Sequence, residues 1–380
     1  MHRITASFET NAMVCRIICL VFLTLQFSTA AQAYGPLGHE IVGAIADERL
    51  ANTPTATKIR ALLDGLTLEK AGGIADEIKG WDKKGVDDPR SFHYSAHRDI
   101  GRQLRDFWRA NPPTLMNPGG LSHHWFHYTD VPVVPEQRYR DGRAGRSKWD
   151  IVHMIPFCIE VLRGRVPEQN ERRITKPVAL ILLAHYVADI HQPLHVGAEY
   201  FDQHGQVVDP DKDKSALGNE GGNTFTLELS DELPRKRGVH KKKLHGFWDY
   251  DAVNALFLQA PDTLRKDELQ TLIEPRKREL VHELATQEPS NWRMSRNVPV
   301  DSYAETWADE ILPVAREAYA RLEFTNVHPL QDENRTVAAG EAVEKPTADQ
   351  KNYRAWATDV VRQELHTAGW RLADLLEKIL

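Results

Sequence analysis

His185 and Asp189 lie four residues apart in ILLAHYVADIHQPLH, and His195 follows just past Pro193. On a helix that spacing puts an imidazole and a carboxylate on one face, one turn apart. The surrounding residues are apolar, so the pair would be buried at a cost unless something compensates it. The same H-x-x-x-D spacing returns in LHGFWD as His245 and Asp249. One such match is an ordinary core or surface pair. Two of them, together with HQPLH and the glycine turn NEGGN at 219–223, point to metal. Imidazole and carboxylate ligands without thiolate suit zinc in an open, catalytic site rather than a structural cysteine cage.

The elements that would carry these groups read as helical. IVGAIADERLA (41–51), KIRALLDGL (58–66), HMIPFCIEVLRG (153–164), KPVALILLAHYVADI (176–190), ETWADEILPVAREAYARL (305–322) and TDVVRQELHTAGWRLADLLEKIL (358–380) repeat apolar residues every three or four positions. Pro193 should end the helix that bears His185 and Asp189. TFTLELS at 224–230 is the best candidate for a short strand or hairpin. Three long polar stretches, near 80–122, 199–222 and 324–352, exceed ordinary connections and are expected to be functional or mobile loops. No clean linker divides the chain, so the expectation is a single all-α domain over 34–380.

Residues 1–33 stand apart. Arg3 and Arg16 precede the apolar run Ile17–Leu23, and Ala31-Gln32-Ala33 offers small residues for cleavage. This is the pattern of a secretory signal peptide, with Tyr34 as the mature N-terminus and a secreted or periplasmic destination. A membrane anchor would need about 20 apolar residues, and Thr24, Gln26 and Ser28 interrupt this run. Removing the leader takes two arginines and one glutamate with it and leaves 46 basic against 53 acidic side chains. A mildly acidic chain does not bind duplex nucleic acid through its whole surface, so phosphate recognition would be local. Cys15 and Cys19 leave with the leader, and Cys158 cannot form an intramolecular disulfide alone. The exported fold would depend on its packed core and on metal.

The motifs YGPLGHE (34–40), IADEIK (74–79), HYTDVP (127–132), LLAHYVADIHQPLH (182–195), GGN (221–223), LHGFWD (244–249) and the closing AGWRLADLLEKIL occur in the order of one known family. The chain resembles the zinc-dependent single-strand nucleases of the S1/P1 type, whose helical fold is related to zinc phospholipase C. The resemblance implies three zinc ions in a cleft. The first would be held by the α-amine and carbonyl of Tyr34, by His39 and by Asp189, which bridges to the second. The second would add Asp76, His127 and His185, and the third would take His195, His245 and Asp249. The family usually begins with Trp, so Tyr34 is a departure, one that should alter packing more than coordination by main-chain atoms. An α-amine can shed its proton to a metal whereas a peptide nitrogen has no such lone pair, so the uncleaved precursor is expected to be inactive.

The resemblance further implies hydrolysis of phosphodiesters in single-stranded DNA and RNA by in-line attack of water, releasing 5′-phosphate products, with 3′-nucleotidase activity besides. Asp189 and Asp130 are the expected catalytic carboxylates. Lys79, three residues after Asp76 on the same helical face, would meet a phosphate oxygen. Tyr128 would stack an unpaired base, Asp130 would orient water or substrate, and Asn223 would hydrogen-bond substrate. Without a recess for a duplex, a base would have to be flipped out. His93 and His97 in SFHYSAH compete with His127 as ligand, although Tyr128, Asp130 and Pro132 follow His127 in the family's order. His123 and His124 read as loop or outer residues, His191 as a structural hydrogen-bonding histidine, and His153 as core or surface.

Other features read more plainly. DPDKDKSALGNE (209–220) spaces carboxylates as a calcium loop does, but Lys214 stands where the sharp-turn glycine belongs, so a solvated loop is expected. RKRGVHKKK (235–243) is a basic run that could draw polyanions toward His245. Asn334-Arg335-Thr336 fits a glycosylation acceptor where the source glycosylates exported proteins. Two alternatives share the scaffold: a phospholipase C-type phosphodiesterase and a non-catalytic zinc-binding protein. No lasting membrane association is expected after cleavage, and a monomer is the default.

Overall fold

Apolar periodicity becomes helix along most of the chain. The computed structural model describes residues 34–87, 96–113, 121–231, 242–258, 266–332 and 335–380. Residues 1–33, His93 and most of the basic run at 235–243 lie outside the described residues. The helices are α1 (Gly35–Leu50), α2 (Pro54–Leu62), α3 (Leu68–Gly72), α4 (Ile74–Glu77), α5 (Trp81–Lys84), α6 (Arg98–Ala110) and α7 (Ile151–Leu162), then α8 (Lys176–Asp189), α9 (Leu244–Gly246), α10 (Ala252–Asn254), α11 (Lys266–Thr286), α12 (Tyr303–Ala320) and α13 (Tyr353–Ile379). Among the described residues no helix is long and apolar enough to cross a membrane.

The centre is α8. Thr175 caps it by accepting from the Val178 N–H, and every residue from Val178 to Asp189 is buried. A helix apolar on all sides belongs in a core, and α8 packs against α1, α3, α4, α6, α7 and α13. Helix α1 lies across α3, α11 and α13. Its contact with α3 is close enough to demand glycine: a Cβ at Gly43 would lie 2.3 Å from the Leu68 carbonyl oxygen. At the start of α3, both carboxylate oxygens of Asp47 from α1 accept the N–H groups of Leu68 and Glu69.

The architecture is all-α with small sheets attached: β1 (Val131–Pro132) pairs parallel to β2 (Gly197–Ala198), β3 (Tyr200–Phe201) pairs antiparallel to β4 (Leu217–Gly218), and two of the polar stretches carry more structure than expected. Helix α6 lies inside 80–122; it buries Ile100, Gly101, Leu104, Phe107 and Trp108 along one stripe while its many charges face outward. The stretch 324–352 contains most of a long hairpin, β6 (Leu322–Asp332) with β7 (Arg335–Glu344), rather than a loop. TFTLELS supplies one strand, β5 (Phe225–Glu228), which pairs parallel to β7 and bridges antiparallel to Lys243, the Leu227 N–H donating to the Lys242 carbonyl at 2.8 Å. Phe201, Phe225 and Phe324 pack with ring centroids 5.3 Å apart, which anchors this sheet to the body. Such a hairpin escapes a periodicity reading because most of β6 is polar and exposed.

Candidate metal centre and adjoining recess

Local structure aims the ligand-type side chains inward. Helix α8 stacks His185 over Asp189 by its i,i+4 geometry, with Nε2 and Oδ2 3.0 Å apart. The chain then turns through Pro193–His195, a single tight helical turn. A short parallel ladder pairs Val131–Pro132 with Gly197–Ala198 and brings the segment after His127 alongside that after His195. The Thr129 N–H donates to the His195 carbonyl at 2.8 Å, and His195 Nδ1 donates back to the His127 carbonyl at 2.8 Å. His245 and Asp249 sit where α9 widens into a π-helical turn, Phe247–Asp251, an irregularity common at functional sites.

Two buried groups result. In the first, His39 Nε2 is 3.2 Å from Asp189 Oδ1 and 3.9 Å from Asp76 Oδ2. On the other side, Asp189 Oδ2 lies 3.1 Å from His127 Nδ1, and His185 Nε2 is 3.7 Å from Asp76 Oδ1. Asp189 thus turns one oxygen to each side, as a bridging carboxylate would. In the second group, His195 Nε2 and His245 Nε2 are 3.0 Å apart, and Asp249 Oδ2 is 3.5 Å from His245 Nε2. All eight residues are at most 2 % exposed. Each of the sets His39–Asp76–His185, His127–His185–Asp189 and His195–His245–Asp249 could hold a metal ion.

The hydrogen bonds decide the tautomers. His185 Nδ1 lies 2.7 Å from the Gly72 carbonyl, and His245 Nδ1 lies 2.8 Å from that of Gly221. A carbonyl only accepts, so Nδ1 carries the proton in His185, His195 and His245, and Nε2 presents a lone pair. The facing Nε2 atoms of His195 and His245 therefore have no proton to share while both rings are neutral. Two lone pairs 3.0 Å apart in a dry interior need a cation between them. Asp76 Oδ2 and Asp189 Oδ1, both buried, have no hydrogen-bond partner among the described residues either. The donor set fits divalent zinc.

Burial sets the charges. It lowers His185 and His245 to about 4 and holds His127 and His195 well below the ordinary imidazole range, leaving neutral, ligand-competent rings. Burial also raises Asp189 and Asp249 far above the usual carboxylate range, so their ionised forms require compensating positive charge. Asp76 differs: against the upward push of burial, Lys79, His185 and His39 hold it below the ordinary value. Lys79 Nζ reaches Asp76 Oδ1 at 2.8 Å.

Tyr34, fully buried before α1, donates its hydroxyl to the His191 carbonyl at 2.9 Å, and its own carbonyl accepts the Gly38 N–H at 3.0 Å. His191 is structural: Nδ1 donates to the Val187 carbonyl, and Nε2 accepts from Arg371 at 3.0 Å.

A cavity of about 370 Å³ adjoins the segment after His127. Its walls include Trp125, Tyr128, Asp130, Tyr200, Glu220 and Arg335. Asn223 is not among its lining residues; it ends the glycine turn and donates Nδ2 to the Glu220 carbonyl at 3.0 Å. Gly221 in that turn holds φ at +60°, and a Cβ there would lie 2.3 Å from the Leu194 carbonyl oxygen. Only glycine can place its carbonyl beneath His245. Burial raises Asp130 to about 6, against the opposing charge of Arg335.

A model of the S1/P1 nuclease family matches residues 34–380. The chain belongs to the S1/P1 nuclease family. Among curated relatives from Arabidopsis thaliana, Endonuclease 4 is 31% identical over 184 residues, covering 45% of this chain and 52% of that protein. Endonuclease 2 is 23% identical over 282 residues, covering 71% of this chain and 73% of that protein. The match therefore spans about half the length of Endonuclease 4.

Several residues of this S1/P1 family member escaped sequence reasoning. Gln192 donates to Asp249 Oδ1 at 2.9 Å and so leaves Oδ2 facing His245. Its place inside HQPLH was visible but its direction was not. Arg335, read only as part of a glycosylation acceptor, reaches the recess from β7, where it pairs with Glu220 and hydrogen-bonds the Tyr128 hydroxyl. Asp82, His123 and His124 form a separate cluster. The carboxylates of the 209–220 loop are engaged otherwise than by convergence on a cation: Asp211 accepts the N–H groups of Arg143 and Ala144, and Asp213 accepts from Ser215. His97 lies against Asp64, and His153 against Asp150 and Tyr139.

Proposed function

We propose that this chain is an exported zinc-dependent endonuclease that hydrolyses phosphodiester bonds of single-stranded DNA and RNA to 5′-phosphate products, with 3′-nucleotidase activity besides. The reading takes residues 34–380 as one catalytic domain and residues 1–33 as a signal peptide cleaved after Ala33. The observation that carries it is the facing of proton-free imidazole nitrogens and buried carboxylates beside an aromatic recess.

Tyr34, His39 and Asp189 would hold one zinc ion, Asp76, His127, His185 and Asp189 a second, and His195, His245 and Asp249 a third. Bound zinc would supply Lewis-acid neutralisation of phosphate charge and a nucleophile competent near neutral pH. The chain's own groups do the rest. Asp189, with one oxygen toward His39 and the other toward His127, would serve both of the first two sites. Lys79, held by its hydrogen bond to Asp76, steadies a non-bridging phosphate oxygen. The Tyr128 ring receives an unstacked base, which favours single strands over duplex. Asp130 orients water or the base edge, and Asn223, with one Nδ2 hydrogen given to the Glu220 carbonyl, has its Oδ1 and the second hydrogen to offer.

The test is hydrolysis by zinc-loaded protein beginning at Tyr34, set beside the uncleaved precursor. Substrates are matched single-stranded and duplex oligonucleotides and phosphatidylcholine. Expected are cleavage of the single strand, phosphatase-sensitive 5′ ends and an inactive precursor. Full zinc content without hydrolysis would reduce the chain to a binding protein, and cleavage of the lipid alone would make it a phospholipase.

A further inference from the structure

We infer that Asp82, His123 and His124 form an additional site for a first-row divalent cation, separate from the cleft groups, that clips together the two segments carrying cleft residues.

The geometry is that of a ligand set. His124 Nε2 lies 2.7 Å from Asp82 Oδ2, and His123 Nε2 lies 3.6 Å from Asp82 Oδ1. One ligand atom from each of the three residues falls within 4.8 Å of the others. His123 is 1% exposed, yet among the described residues neither of its ring nitrogens has a partner within ordinary hydrogen-bond distance, Asp82 at 3.6 Å being the nearest carboxylate to Nε2; His124 Nε2 pairs with the other oxygen of that same carboxylate. A buried imidazole with both nitrogens unsatisfied carries the desolvation penalty of each group left bare. At 3.6 Å a hydrogen bond to Asp82 does not relieve it. A cation among the three does, and two imidazoles with one carboxylate leave positions open for water.

The surroundings support a built site. Asp82 Oδ1 accepts from Trp108 Nε1 at 2.8 Å, which orients the carboxylate from α6. Ser122 Oγ accepts the His124 N–H, and the His123 N–H donates to the Asn111 carbonyl at 3.2 Å, so the tight turn His123–His127 is held at its start. Burial keeps the His123 ring neutral by lowering it to about 4.

The position gives the site its consequence. Asp82 follows Lys79 by three residues and Asp76 by six, and His124 precedes His127 by three and Tyr128 by four. A cation here would cross-link the α4–α5 segment to the turn that presents His127. Its role is positioning, since it shares no ligand with the cleft sets.

The experiment uses the full exported chain, stripped with chelator, reloaded with zinc chloride and freed of excess metal. Metal content per chain is measured for wild type, Asp82→Asn and His124→Gln. Each variant is expected to hold one zinc fewer than wild type, and the double variant no fewer than either single one. Equal zinc content in all forms overturns the site. Loss of two or more equivalents from a folded variant also overturns it, because the cluster would then not be separate from the cleft. If the variants do not fold, anomalous scattering at the zinc edge from wild-type crystals decides. A peak among Asp82, His123 and His124 supports the site, and peaks confined to the cleft refute it.

Discussion

Replacing Gln192 by Leu tests whether the second His/Asp group owes its geometry to a single amide. Gln192 Nε2 donates to Asp249 Oδ1 at 2.9 Å, and its Oε1 accepts the Leu194 N–H. Leucine is close in size, so the change removes the two hydrogen bonds without opening a large cavity. Removing such an outer partner of a metal ligand lowers affinity about 10–100-fold, or about 1.4–2.8 kcal/mol. Independently, Asp249 Oδ1 and the Leu194 N–H lose partners in a dry interior, at about 1–3 kcal/mol each in the metal-free protein. Competition with a chromophoric chelator should resolve one weakened zinc equivalent and leave the ions assigned to His39, Asp76, His127, His185 and Asp189 unchanged. A thermal melt of the metal-free form should fall in parallel. Unchanged zinc affinity, or equal weakening of every ion, would refute the assignment of Asp249 to a separate site oriented by Gln192.

Gly43→Ala should destabilise the fold by about 1–3 kcal/mol, although alanine is the better helix former by about 1 kcal/mol. Its Cβ would meet the Leu68 carbonyl at 2.3 Å, and urea denaturation measures the loss. Glu364, nine-tenths buried on α13, is raised to about 7 by burial, against the charge of Arg371. A carboxyl raised in the folded state contributes stability below its ordinary value near 4.5 and loses it as pH rises through 7. Glu364→Gln should therefore gain on wild type across that window, by at most about 3 kcal/mol at pH 8; parallel melting curves from pH 4 to 8 would contradict this. Arg335→Ala should raise KM for a single-stranded oligonucleotide about three- to tenfold with kcat nearly unchanged. Arg335 is half exposed, so its pair with Glu220 contributes about 1 kcal/mol or less. A fall in kcat at constant KM would place it in the chemistry instead.

The features read correctly from sequence are local ones. His185 with Asp189 and His245 with Asp249 meet because helical geometry forces residues four apart onto one face. Helix α8 was visible because an unbroken apolar run has no stable place but the core. Helix α6 was hidden inside a stretch read as polar loop, since only a narrow stripe of it is apolar. The hairpin of β6 and β7 was hidden because its pairing is mostly with itself and its faces are half exposed. Asp82 with His123 and His124, and Arg335 with Tyr128, are separated by long stretches of chain. No periodicity reports such distant encounters.

By itself the amino-acid sequence determined which chemistry was available: an array of imidazoles and carboxylates, the helices that carry them, and the order of motifs that marks an S1/P1 family member. Which carbonyl takes each Nδ1 proton, and hence which nitrogen faces its neighbours, was decided only when Gly72, His127 and Gly221 came against His185, His195 and His245. The physical reason is range. Helix formation and amphipathicity act over a few residues, whereas the tautomer and aim of a buried ring depend on carbonyls delivered by other segments of the folded chain.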